Sequence, residues 1–157
     1  RLSPSGKNAQ PLKYIISNDN SSNETIFKSL NWAGYLKDWK GPEEGEKPSA
    51  YIILLGDKRI ATNFFCDHGI AAQSILLGAV EKGFGGCIIA SINKEQLRKD
   101  LSIGEQFEIL LVLALGKPKE TVILDEVGED GEIKYWRDEN KVHHVPKRKL
   151  DDIILNL

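Results

Sequence analysis

Three short segments of this sequence hold groups able to bind a small polar ligand. The first, Ser3-Pro4-Ser5-Gly6-Lys7-Asn8-Ala9-Gln10-Pro11, runs directly into the apolar Tyr14-Ile15-Ile16. Its hydroxyls, carboxamides and backbone can set donors and acceptors against a flat heterocycle, because Asn and Gln each offer both. The same residue types are those that any turn prefers, so spacing alone leaves a plain turn open. The second segment is Gly83-Phe84-Gly85-Gly86-Cys87. Glycine lets backbone amides approach a ligand closely, and an amide aimed at developing negative charge stabilises it. A helix C-cap followed by a tight turn accounts for the same glycines. The third is Lys147-Arg148-Lys149, which could hold phosphate oxygens through charge-assisted hydrogen bonds or be a solvated cluster on a surface tail.

Other combinations lead less far. Cys66-Asp67-His68 puts a thiol, a carboxylate and an imidazole in a row, but such groups work only when they meet in space, and a helix start explains the run. His143 and His144 would face opposite sides of a strand with no third ligand nearby, which argues against a metal pair. Cys87, in an apolar strand, reads as a small packing hydrophobe. Trp136 reads as hairpin packing, since a stacking platform for nucleic acid would need a basic groove. Trp32, Tyr35 and Trp39 are either core anchors or the wall of a pocket.

The patterning defines the elements that must carry these segments. Residues 12–17 read as a strand entering the core. Residues 24–35 set Ile26, Phe27, Leu30, Ala33 and Gly34 at helical spacing, with Ser22 or Asn23 as the cap. Residues 41–48 are rich in Gly, Pro and Glu and read as an exposed loop. The unbroken apolar run at 50–55, ended by Gly56-Asp57, is a strand buried on both faces and central in its sheet. Across 64–82, Ile70, Ala71, Ala72, Ile75, Leu76, Leu77, Ala79 and Val80 cover nearly the whole circumference of a helix, which must be buried on more than one side. Residues 87–90 and 107–115 read as strands, and Asn93 with Gln96 opens a short helix. Glu129-Asp130-Gly131-Glu132 is a hairpin signal, and 145–157 read as an extended arm. Helices and strands mixed at irregular spacing indicate an α+β layer structure more than a regular doubly wound sheet.

The 157 residues suit one domain with its own core. Lys and Arg number 21 against 23 Asp and Glu, a net charge of -2, so no single-sign field invites nucleic acid or a membrane surface and any anion site must be local. The two cysteines fit a reducing, cytoplasmic setting better than a disulfide framework. No apolar run reaches the roughly 20 residues of a membrane span. The sequence opens at Arg1 inside a loop motif and contains no methionine, which reads as a lost N-terminal segment.

Together these segments resemble the nitroreductase family of flavoproteins. Pro4, Ser5, Gly6, Lys7, Asn8, Ala9, Gln10 and Pro11 stand as that family's Pro-Ser-x-x-Asn-x-Gln-Pro segment. Gly83-Phe84-Gly85-Gly86-Cys87 matches its Gly-hydrophobic-Gly-small-Cys turn. Lys147, Arg148 and Lys149 before Leu150-Asp151-Asp152-Ile153 match its basic pair near the C-terminus. Pro48-Ser49-Ala50-Tyr51, Asp67-x-Gly69-Ile70-Ala71 and Gly116-Lys117-Pro118 extend the likeness over essentially the whole chain.

The resemblance implies an α+β FMN-dependent nitroreductase-like fold, with a central, mainly antiparallel sheet flanked by helices. Residues 1–157 would form one FMN-binding domain, N-terminally incomplete, with 145–157 as a C-terminal arm. It also implies a homodimer whose FMN is shared between subunits. Pro4, Ser5, Gly6, Asn8 and Gln10 would touch the isoalloxazine bound mainly by the other subunit. Phe84, Gly85 and Gly86 would lie near its reactive nitrogen, and Lys147, Arg148 and Lys149 near its phosphate. No catalytic side chain and no metal is implied. Electrons would pass from NAD(P)H through FMN to a nitroaromatic, quinone or similar acceptor in a ping-pong reaction. A flavin-binding dimer without efficient turnover, or an enzyme consuming reduced flavin as substrate, are the alternatives. The family's initial helix with an Arg-Arg-Ser-x-Arg-like segment has no counterpart before Arg1, which fits the expected truncation.

Overall fold

Continuous apolar runs seek the middle of a sheet, and the computed structural model, which describes residues 1–155, puts two of them there. Strands β1 (Leu12–Ser17), β2 (Ala50–Asp57), β3 (Gly85–Ile89) and β4 (Phe107–Gly116) pair antiparallel in the order β1-β2-β4-β3. The central β2 and β4 bury Ile53, Leu54, Leu55, Ile109, Val112 and Leu113. Alternation, with a β-bulge where the β2–β4 register shifts between Leu54 and Leu55, sends Ile53, Leu55, Ile109 and Val112 to one face, where they meet Ile26 of helix α1 (Asn20–Lys28) and Leu97 of α3 (Lys94–Asp100). Leu54 and Leu113 go to the other face, against Ala71 and Ala72 of α2 (Asp67–Glu81). This layered unit comprises Arg1–Trp32 and Gly41–Pro118.

Local chemistry sets the helix ends. Helix α1 begins earlier than the periodicity suggests, because the Asp19 carboxylate accepts the Ser22 N–H at 2.9 Å and supplies the cap. Asn23 instead takes the Ser17 hydroxyl at 2.7 Å, tying the helix to β1. The helix also stops sooner, at Lys28, since Leu30 bridges to Ile92. Asn93 caps α3 as expected, accepting the Gln96 N–H at 3.2 Å. Helix α2 closes with Gly83 at a φ of 74°, its N–H bonded to Val80 O and that of Phe84 to Ala79 O, both at 2.9 Å. That left-handed cap is the setting where glycine costs least. Although α2 is apolar nearly all round, this chain covers one side of it; Leu77 and Val80 are 61% and 63% exposed.

A second unit comprises residues 33–40 and those from 119 onward. Strands β5 (Val122–Glu126), β6 (Trp136–Arg137) and β7 (His143–Lys147) form a sheet in the order β5-β7-β6. In place of the turn expected at Glu129-Asp130-Gly131-Glu132, a turn closes one residue earlier, with Gly131 N–H on Gly128 O at 3.0 Å. It joins no hairpin, because β7 lies between β5 and β6 and pairs parallel with β5. Val145, Pro146 and Lys147, read as the start of an arm, complete β7, and helix α4 (Leu150–Ile153) follows. The last two residues of the expected arm, Asn156 and Leu157, lie outside the described residues.

The two histidines fasten β7. His143 Nδ1 lies 3.0 Å from Glu120, which Arg137 also binds at 2.6 Å. His144 stacks on Trp136 at 4.1 Å and sets Nδ1 2.9 Å from Asp125. Arg137 also covers the Trp39 ring at 4.3 Å, and Tyr35 packs on Tyr135 at 4.9 Å. Trp32 belongs to the first unit, packed on Phe27 at 5.4 Å. Among the described residues no helix is long and apolar enough to cross a membrane, and no group of three or more His, Cys, Asp or Glu could hold a metal ion.

Candidate functional site

Before β1 the chain makes one tight 3-10 turn, Gly6–Asn8. The N–H groups of Asn8 and Ala9 return to the carbonyls of Ser5 and Gly6 at 2.9 and 3.1 Å. Lys7, Asn8 and Gln10 all take positive φ, at 55°, 53° and 52°, a conformation that costs an L-residue on the order of 1–2 kcal/mol. Such a loop persists only where its surroundings hold it. The holder is Asp67, the first residue of α2, which is 3% exposed. Its Oδ2 accepts the Ser5 hydroxyl at 2.6 Å and its Oδ1 the Gly6 N–H at 2.9 Å. Ser5 Oγ in turn accepts the Gln10 N–H at 2.9 Å. The Ser5 bond, then the Gly6 bond and the nearby His68, keep the Asp67 carboxyl below the usual carboxylate range.

Two further contacts fix the loop. A Cβ on Gly6 would stand 2.8 Å from the Phe65 ring, which packs on the glycine and would have to shift for any side chain there. Pro11, fully buried, gives its carbonyl to the Asp57 N–H at 2.9 Å. The side chains of Asn8 and Gln10 remain exposed. Gln10 Nε2 donates to the Asn8 carbonyl at 3.2 Å.

Gly85 and Gly86 open β3, opposite Gly116 and Leu115 of β4. The Phe84 N–H is already spent on the α2 cap. Because β3 is a sheet edge, one of the two successive glycine amides faces β4 and the other the open side. Gly86 also has a packing reason to be glycine. A Cβ there would stand 2.5 Å from Leu76 of α2, 2.7 Å from Leu115 and 3.0 Å from the Ala114 carbonyl.

Within one chain the loop and the glycine turn do not meet. Leu12 lies opposite Gly56, and Gly56 opposite Glu108, whereas Gly85 lies opposite Gly116. From Glu108 to Gly116 along β4 is about 26 Å. Helix α2, which starts beside the loop and ends at the glycine turn, has 15 residues and so is about 22 Å long. One small planar ligand cannot touch both ends. In the second unit, Lys147 ends β7, Arg148 is exposed, and Lys149 pairs with Glu126 at 3.3 Å.

The sequence description of the nitroreductase family matches residues 1–117. The chain belongs to that family. YodC of Bacillus subtilis (strain 168), a candidate NAD(P)H nitroreductase, is 27% identical over 99 residues, which are 62% of this chain and 48% of YodC. The chain thus spans about half the length of that relative. The crystal structure of a candidate NADH dehydrogenase/NAD(P)H nitroreductase from Parabacteroides distasonis superposes with a TM-score of 0.62 at 27% identity, covering 76% of this chain and 69% of the other. An FMN-dependent nitroreductase from Clostridium difficile R20291 gives a TM-score of 0.61 at 21% identity, over 76% and 70% of the two chains, a likeness of fold. The architecture is therefore the α+β nitroreductase fold, its antiparallel sheet flanked by helices as expected.

The match to the family's sequence description ends at residue 117, one residue before the first unit ends at Pro118, so the basic tail lies beyond it. In the sequence the loop stands out as a motif, whereas Asp67 reads as no more than a helix start. One signal was available: a carboxylate opening a helix otherwise dominated by apolar residues. What it bonds to lies about sixty residues away in sequence and only the fold brings it near. Both cysteines, including Cys87 that was expected to pack, are exposed in this chain.

Proposed function

We propose that this nitroreductase-family protein is an FMN-dependent oxidoreductase that passes electrons from NAD(P)H to a nitroaromatic, quinone or similar oxidised acceptor, and that it works as a homodimer. The observation carrying this reading is the strained, Asp67-held loop with the Asn8 and Gln10 carboxamides left exposed. Groups that both donate and accept complement the alternating carbonyl and N–H edge of an isoalloxazine, so the residues present fit the cofactor. On this reading Pro4, Ser5, Gly6, Asn8 and Gln10 line the ring from one subunit. Phe84 and the open-edge amide of Gly85 or Gly86 approach it from the other. Lys147, Arg148 and Lys149 supply charge for the phosphate.

The separation of about 26 Å between loop and glycine turn supports a site built from two copies. So do the exposed apolar side chains of Leu77 and Val80 on α2 and of Phe84 and Ile88 beside and on β3, a patch that in a soluble protein marks an interface. FMN, when bound, supplies the electron-transfer chemistry, while the protein orients the reactants and tunes charge. The outward glycine amide would hold the ring edge and stabilise negative charge there. The kinetic order proposed is ping-pong, with NAD(P)H leaving before the acceptor enters.

The test is an absorbance spectrum of the purified protein after incubation with FMN, followed by anaerobic NADH and then NADPH. A bound-flavin spectrum that bleaches supports the reading, and steady NAD(P)H oxidation with added quinone separates turnover from mere binding. A protein that takes up no FMN overturns it.

A further inference from the structure

We infer that Asp67 is a positioning residue for the cofactor, setting the left-handed loop from which Asn8 and Gln10 reach the flavin; this rests on the flavin reading above. A carboxylate in the first turn of a helix ordinarily serves that helix, accepting its free N–H groups or answering its dipole. Helix α2 receives no side-chain cap from Cys66, which stands at the cap position. Both Asp67 oxygens are directed instead to Ser5 and Gly6.

That spending is costly unless it achieves something. Asp67 is nearly removed from solvent, and a buried carboxylate must be hydrogen-bonded to persist. Its two partners lie at the base of a loop where three non-glycine residues hold positive φ. Oδ1 fixes the Gly6 amide, and Oδ2 orients the Ser5 hydroxyl so that its oxygen receives the Gln10 N–H. The relay Gln10 N–H to Ser5 O–H to Asp67 therefore fixes both ends of the turn that presents Asn8. An anion does this better than an amide. Asn could accept from Gly6 through its single oxygen but would turn an N–H toward Ser5. The hydroxyl would then have to reverse its role.

The test compares wild type with Asp67→Ala, Asp67→Asn and Ser5→Ala, measuring FMN dissociation constant, visible circular dichroism of the bound flavin, and amide exchange. In the expected result, Asp67→Ala weakens FMN binding at least tenfold, alters the flavin dichroism and speeds exchange at Gly6 and Gln10, while amides of β2 and β4 exchange as before. Asp67→Asn is intermediate. Ser5→Ala, which leaves α2 untouched, breaks the relay and so speeds Gln10 exchange as well as weakening binding. If the Asp67 variants do not fold this exchange decides, since weakened binding with wild-type Gln10 exchange would mean a direct Ser5 contact and overturn the relay. Wild-type affinity and dichroism in Ser5→Ala and in the folded Asp67 variants would overturn the positioning role and leave the flavin reading intact. A wild type that takes up no FMN overturns the flavin reading, and the positioning role with it.

Discussion

Asp57 and Arg59 form a closed pair at the end of β2: Arg59 Nε and Nη2 reach the two carboxylate oxygens at 2.9 and 2.7 Å, and the Arg59 N–H adds a third bond at 3.0 Å. Asp57 is 2% exposed, while the guanidinium keeps one face toward solvent and the other over Phe107 at 5.4 Å. Since the Asp57 N–H also holds Pro11, the pair anchors the far end of the loop from Pro4 to Gln10. The Arg59 hydrogen bonds outweigh burial and hold the Asp57 carboxyl down at about 2. A folded value below the ordinary 3.8 means that the group binds protons less readily when folded. Its stabilisation is full above that value and lost as pH falls toward 2. Wild type should therefore lose more stability than Asp57→Asn between pH 4 and 2, by urea midpoints. Arg59→Ala strands a carboxylate that water barely reaches, and should lower the melting temperature at pH 7 by about 5 °C. Equal acid profiles for wild type and Asp57→Asn would refute this.

Ser5 and Asp67 should behave as one unit in the protein without flavin. Each of Ser5→Ala and Asp67→Ala should cost roughly 1–3 kcal/mol, since each removes a hydrogen bond to a charged group or the charge itself. The double variant should cost less than their sum, by chemical denaturation. Strict additivity would mean that the 2.6 Å contact contributes nothing of its own.

Gly86→Ala should destabilise by about 1–3 kcal/mol, the usual range for overpacking. Leu76 and Leu115 can shift away from an added methyl group, but the Ala114 carbonyl at 3.0 Å is backbone and cannot. Thermal unfolding followed by circular dichroism measures this directly, and a melting temperature equal to wild type would show that α2 moves off the sheet freely.

Lys147→Glu should weaken FMN affinity about tenfold while leaving riboflavin, which lacks the phosphate, unaffected. Lys149→Glu should act more weakly, because Glu126 already offsets part of the Lys149 charge. Equal losses for FMN and riboflavin would assign the tail a structural role in place of a phosphate contact.

Leu77→Glu on the uncovered side of α2 should yield a monomer by sedimentation and abolish FMN uptake together, because a site that needs both ends of the sheet exists only across two copies. Monomers that still bind FMN would confine the site to one chain.

Much of the first unit was legible beforehand. The unbroken apolar runs of β2 and β4 could be satisfied only between other strands, and the glycine ending α2 only at a left-handed cap. The polar second unit was not legible, because pairing there depends on contacts between distant residues. A turn closed at Gly128–Gly131 without making a hairpin, since β7 displaced β6 as the partner of β5, and His143 and His144 took their carboxylates from separate points along the chain.

The sequence by itself determined the α+β class, the buried central strands and the loop from Pro4 to Gln10, because these follow from local residue types and periodicity, while the antiparallel pairing was implied only by the likeness to the family. Only the tertiary structure decided that Asp67 holds that loop and that the loop and Gly85 stand at opposite ends of the sheet. Register and helix length convert sequence distance into spatial distance, and neither the meeting of Ser5 with Asp67 nor the parting of Gly6 from Gly86 exists until β1, β2 and β4 have paired.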